Sequence, residues 1–113
     1  MSTVANIALT ALNAFDKKAS IISNNIVNAN TDGFHKSRAV TEEGQNSGVN
    51  VSSEQVNTPG DIVTIEGVDR ETSNVNIAEE LVTLMINKNN YDANIKTARA
   101  SDEMQKTFLD IVA

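Results

Sequence analysis

The chain has 113 residues, 40% hydrophobic but only 4% aromatic, with neither Trp nor Cys and a net charge of −6. That length holds one domain at most, and without large rings the core must be built from Ile, Leu, Val and Ala, which suits helix-on-helix packing better than a thick sandwich or barrel. The acidic balance opposes nucleic acid and anionic lipid, and the missing cysteines exclude disulfides and thiolate metal sites.

The first 30 residues predict a long helix. Ala5, Leu12, Ala19 and Ile26 fall seven apart, and Ala8, Phe15, Ile22 and Ala29 form the complementary row. Asn6, Asn13, Asp16, Lys17, Lys18 and Ser20 lie off this narrow stripe, a pattern of coiled-coil type. Ser2 or Thr3 is placed to cap the start. The opening lacks a basic region and a sustained apolar run, so no cleaved secretion signal is expected. No segment approaches the roughly 20 apolar residues of a membrane span, so no direct membrane insertion is expected either.

Residues 31–72 read differently. "NTDGF" is turn chemistry, with Asn30 and Asp32 able to bond local backbone, Gly33 able to take a positive φ and Phe34 able to fold back as an apolar anchor. Asn24, Asn25 and Asn28 stand just off the stripe, where their amides could reach a neighbouring subunit. "TEEGQNSG" at 41–48 reads as a loop, and "GVNVSSEQV" and "DIVTIEGV" as two strands or a hairpin around Pro59 and Gly60. Residues 73–113 predict the second helix, with Ser73, Asn74 and Asn76 as caps and Glu79 and Glu80 at its positive N-terminus. Its stripe is Ile77, Leu81, Leu84, Tyr91, Ile95 and Ala98, interrupted by Lys88. Past Ala98 the phase slips, because Asp102 takes the next slot while Met104, Phe108 and Ile111 lie on a shifted face.

The expected fold is therefore mainly α: two long terminal helices pairing antiparallel as a coiled coil, with a short β-hairpin or extended segment between them. Two such stripes bury little, so the chain should need other copies or other proteins to complete it, most simply as a homo-oligomer. No catalytic apparatus emerges. "NANTDG" imitates a calcium loop but puts Ala39 where a bidentate Glu is required. The lone His35 cannot build a metal site, and adjacent carboxylates such as Glu42 and Glu43 do not converge. No catalytic, metal or cofactor-binding residue is expected; "HKSR" at 35–38 is the main positive cluster, suited to an acidic neighbour.

"SNNIVNANTDGFHKS" resembles the N-terminal signature of bacterial flagellar rod, hook and hook-associated axial proteins, A-x-N-I-A-N-x-x-T-x-G-F-[KR]. Asn24, Asn25, Ile26, Asn28, Asn30, Thr31, Gly33 and Phe34 carry the match. The other end is similar to the C-terminal signature of the same family: V-[ND]-x-x-x-E-[ML]-V-x-[LM], then Y-x-A-N, then D-E-M. Val75, Asn76, Glu80, Leu81, Val82, Leu84, Tyr91, Ala93, Asn94, Asp102, Glu103 and Met104 carry it. His35 replaces the usual basic residue, "NKNNY" is unusual, and the middle region is shorter than in familiar rod and hook subunits.

The resemblance implies a structural rod subunit. It would leave the cell through the flagellar type III export apparatus without a cleaved signal peptide, and polymerise with other copies and other axial proteins into a hollow, torque-transmitting axis in the periplasmic part of the basal body. The other reading of the same helices is a non-polymerising coiled-coil adapter or regulator related to flagellar assembly.

Overall fold

Thr3–Val27 forms helix α1, rich in Ala, Leu and Ile and free of Pro and Gly. The computed structural model describes residues 3–44 and 47–112, so the expected cap Ser2 and the side chain of Thr3 lie outside the described residues. The helix stops a turn short of residue 30 because local amides compete for its last carbonyls. Asn28 Nδ2 donates to the Asn24 carbonyl at 2.9 Å, and Thr31 Oγ1 donates to Asn28 Oδ1 at 3.1 Å. The chain then reverses through Gly33, whose φ of 72° is the left-handed value expected of it.

Two separate antiparallel hairpins follow, where one was expected. Strand β1, Ser37–Glu43, pairs with β2, Val49–Gln55, in the register Ser37↔Gln55 to Glu43↔Val49. Residues 41–43 thus belong to a strand and not to a loop. Strand β3, Ile62–Ile65, pairs with β4, Val68–Glu71. "DIVTIEGV" is therefore a strand plus a turn: Glu66 and Gly67, at φ 53° and 77°, make the two-residue reversal. The two predicted strands do not pair with each other, because each finds a nearer partner in sequence.

Helix α2, Ile77–Val112, runs for 36 residues and opens as expected, with Asn76 Oδ1 accepting from the Glu79 amide at 3.3 Å. Helix α1 packs against both α2 and the first hairpin. Along the helix pair, Asn25 meets Glu80, Phe15 meets Asn87 and Ala8 meets Asn94, so numbers fall on α2 as they rise on α1. Among the described residues the buried apolar set is only Ala8, Ala14, Ile22 and Val51. Ala14 lies outside both predicted rows and is covered because α1 serves two partners.

The molecule extends 79 × 24 × 13 Å. Its surface of 7962 Å² compares with about 6,000 Å² for a compact monomer of this mass.

Candidate functional site

Asparagine side chains hold the elements together. The Val56 amide donates to the Lys36 carbonyl, which makes Ser37↔Gln55 a pair that exchanges no ladder bonds and turns the Ser37 backbone away from β2. Asn25, 1% exposed, takes up both groups: its Nδ2 donates to the Ser37 carbonyl at 2.8 Å and its Oδ1 accepts from the Ser37 amide at 3.0 Å. A side-chain amide here substitutes for the next strand. Nδ2 also reaches Glu80 Oε2 at 3.3 Å, so one residue joins α1, β1 and α2.

Asn74 plays the matching part on the other side. Its Oδ1 accepts from the Lys36 amide, and its Nδ2 donates to the Val56 and Thr58 carbonyls at 3.0 and 2.8 Å. Asn25 is therefore a core residue, not an off-stripe contact for a neighbour. Its burial had no sequence signal beyond the clustering of amides.

The row of α2 that faces α1 also differs from the apolar reading. Asn87, 7% exposed, donates to the Phe15 carbonyl at 2.9 Å, and Asn94 donates to the Ala8 carbonyl at 3.3 Å. Together with Glu80 these residues fall seven apart, and Leu84, Tyr91 and Ala98 supply the alternate row. Half of this face is polar. Leu81, at 47%, and Lys88 are exposed and Ile95 is half-buried, so the apparent interruption at Lys88 is not in the contact at all. Past Ser101 every described residue of α2 is exposed, so the expected change of face beyond Ala98 falls where the helix packs on nothing. Asn87 Oδ1 is buried without a hydrogen-bond partner, a cost of the polar row.

Of the other predicted residues, Ile22 is buried and Leu12, Phe15, Ile26, Asn28, Phe34, Val75, Leu84, Tyr91 and Asn94 are half-buried. Asn24, Asn30, Thr31, Gly33, Asp102 and Met104 are exposed. Helix α1 and the start of α2 therefore come together, whereas the Asp102–Met104 triplet stands apart from both.

The basic cluster is largely paired within the chain. Arg38 meets Glu54 at 2.9 Å, and His35 Nε2 lies 2.9 Å from Glu71 Oε1. That contact and the Gly60 amide hold the Glu71 carboxyl below its ordinary range. Asp32 faces Arg70 at 3.8 Å instead of bonding its own turn. No group of three or more metal-ligating side chains occurs among the described residues.

Each helix thus presents one face inward and leaves large apolar side chains outside. Leu9, Val27, Ile77, Val82, Met85 and Ile86 are exposed. The second hairpin is exposed on both faces, with Val63, Ile65 and Val68 on one and Ile62 on the other.

Residues 6–35 match the family model described as "Flagella basal body rod protein", and residues 70–111 match "Flagellar basal body rod FlgEFG protein C-terminal". The chain belongs to the flagellar basal body rod protein family. The two matched stretches of this rod-family chain coincide with α1 and its exit turn, and with α2 and the end of β4 before it. The first hairpin lies between them, outside both. Membership places the chain in the flagellar basal body, in a family whose role is structural. A search of curated proteins finds no match to the chain.

Proposed function

We propose that the chain is a structural subunit of the basal-body rod, built to polymerise through its terminal helices into a hollow axis that transmits torque. The observation that supports this most is the coincidence of the two family matches with two helices whose outer apolar faces are open. The helix contacts favour an antiparallel coiled-coil pair within each subunit. The molecular surface exceeds that of a compact monomer by roughly 1,900 Å², the scale of a standard protein interface. Other copies and other axial proteins are the partners that would cover it. Leu81 and Met104, both exposed, are contact residues in this reading. Export would proceed through the flagellar type III apparatus, to the periplasmic part of the rod.

Deletion of the gene tests the proposal directly. Basal bodies isolated from the deletion strain should lack a complete rod, cells should not swim, and the intact gene should restore both. Complete rods and normal swimming would refute it, and a tagged copy confined to the cytoplasm would favour the non-polymerising adapter.

A further inference from the structure

The second hairpin stands outside the packed set of α1, α2 and the first hairpin. Asn74 fixes the two points where the chain leaves that set and returns to it. Its Nδ2 donates to the Thr58 carbonyl at 2.8 Å, and its amide donates to the Phe34 carbonyl at 3.2 Å. Between these points the chain closes on itself, because the Thr72 amide and Oγ1 both donate to the Asp61 carbonyl, at 2.7 and 2.9 Å. Residues 61–72 therefore form one small body on a short two-stranded stem.

The bonds from this body to the rest of the chain gather on one side, at the exit turn of α1. The Gly33 amide donates to the Glu71 carbonyl at 2.8 Å, Arg70 faces Asp32 at 3.8 Å, and His35 Nε2 meets Glu71 Oε1 at 2.9 Å. The Gly60 amide, in the stem, donates to the same Oε1 at 3.3 Å. Lys36 and Asp61 are the further charged side chains here, and both line the groove beside Gly60. The Asp32–Arg70 pair is long and exposed, which leaves it weak. The Gly33 bond is a single backbone contact about which the hairpin can turn. The Glu71 carboxylate, which grips both the exit turn and the stem, is the tie that sets the angle.

We propose that this carboxylate is an acid-sensitive latch: ionised, it fixes the second hairpin against the exit turn of α1, and protonated, it frees the hairpin to swing as an arm. An ionised carboxylate is a strong acceptor for both bonds, whereas a neutral carboxyl accepts weakly and no longer attracts a charged imidazole. The His35 contact first, and the Gly60 amide second, hold the Glu71 carboxyl below its ordinary range. The latch is therefore closed above the ordinary carboxylate range and opens as pH falls through the lowered value. What it aims is an apolar arm, since Ile62, Val63, Ile65 and Val68 are all exposed. The latch is a property of the single chain and goes beyond the rod-subunit reading, which it neither needs nor tests.

The chain has no cysteine, so two can be introduced to carry spin labels, Ser20→Cys on α1 and Val63→Cys on β3, both at exposed positions. Double electron–electron resonance on the dilute, labelled full chain then reads the hairpin-to-helix distance, with helical circular dichroism recorded alongside. Near neutrality the otherwise unaltered chain should give one narrow distance distribution, which should broaden about twofold at about pH 3. Glu71→Gln, which imitates the protonated carboxyl, should be broad already near neutrality and should not change in acid. His35→Ala should also be broad near neutrality. Asp32→Asn, which removes the long exposed pair, should respond to acid as the parent chain does.

A distribution that stays narrow in acid while the helices persist would overturn the latch. So would a Glu71→Gln chain as narrow as its parent near neutrality, or an acid response that survives Glu71→Gln or disappears with Asp32→Asn. If acid melts the helices, the comparison near neutrality decides alone: broad distributions for Glu71→Gln and His35→Ala support the latch, and narrow ones overturn it.

Discussion

Replacing Asn25 with Ala removes the amide that joins α1, β1 and α2. The Ser37 amide and carbonyl, which make no ladder bonds to β2, lose their partners at a site where Asn25 itself is 1% exposed. A buried group left without a partner costs about 1–3 kcal/mol, so the two together should lower stability by about 3 kcal/mol. With a urea slope of roughly 1.5 kcal/mol per molar, the unfolding midpoint followed by circular dichroism should fall by about 2 M.

Asn25→Asp makes the reasoning sharper. It keeps the acceptor for the Ser37 amide but loses the donor to the Ser37 carbonyl, and it sets a carboxylate against Glu80 where an amide lay 3.3 Å away. Burial and the like charge both raise the folded-state pKa of the new carboxyl. Its destabilisation should therefore grow as pH rises through that raised value and be absent below the ordinary carboxylate range. Near neutrality Asn25→Asp should be worse than Asn25→Ala, and the order should reverse in acid. A midpoint shift under about 0.5 M for Asn25→Ala, or a pH-independent Asn25→Asp, would refute the role assigned to this residue.

Asn87→Leu removes a buried oxygen without a partner together with the bond to the Phe15 carbonyl, so stability in urea unfolding should change by less than about 1 kcal/mol, while the register that a polar residue in a helix contact enforces should loosen. Glu71, held below its ordinary range by His35 and the Gly60 amide, adds stability above the usual carboxylate range that is lost as pH falls through its folded value. Glu71→Gln should therefore flatten the acid limb of a melting-temperature profile between about pH 5 and 3. A Cβ at Gly60 would run into the Thr72 carbonyl, so Gly60→Ala should loosen the base of the second hairpin, seen as faster amide exchange in residues 62–71. Leu84→Asp puts a charge into the row facing α1 and should abolish rod assembly in a complementation assay, while wild-type swimming would sink the row assignment.

The helices were legible because apolar spacing and caps suffice to place them; the heptads of α1 and the Asn76 cap are examples. The facing row of α2 was not, because a search for apolar repeats selects Leu81 and Ile95 over Glu80, Asn87 and Asn94. Asn87 and Asn94 face inward through bonds to carbonyls of α1 and Glu80 through the bond it accepts from Asn25, none of which periodicity registers. Strand β1 was hidden for a related reason. "SRAVTEE" has little apolar alternation, and its inner edge is completed by the side chain of Asn25. The turn at Glu66 escaped notice because a left-handed Glu is uncommon and Asn or Asp is the usual sign.

The separations spanned by the asparagine bonds also order the folding of the molecule. Asn25 reaches Ser37 across 12 residues, whereas Asn94 reaches Ala8 across 86. Short loops close at smaller entropic cost, so the hairpin and its clamp form early and the mating of α2 with α1 comes last. That last step involves the two helices that leave large apolar side chains exposed. In the proposed polymer, an arriving chain would hold a finished hairpin module and a late-docking helix, and the moment of docking is where the assembly could act on it.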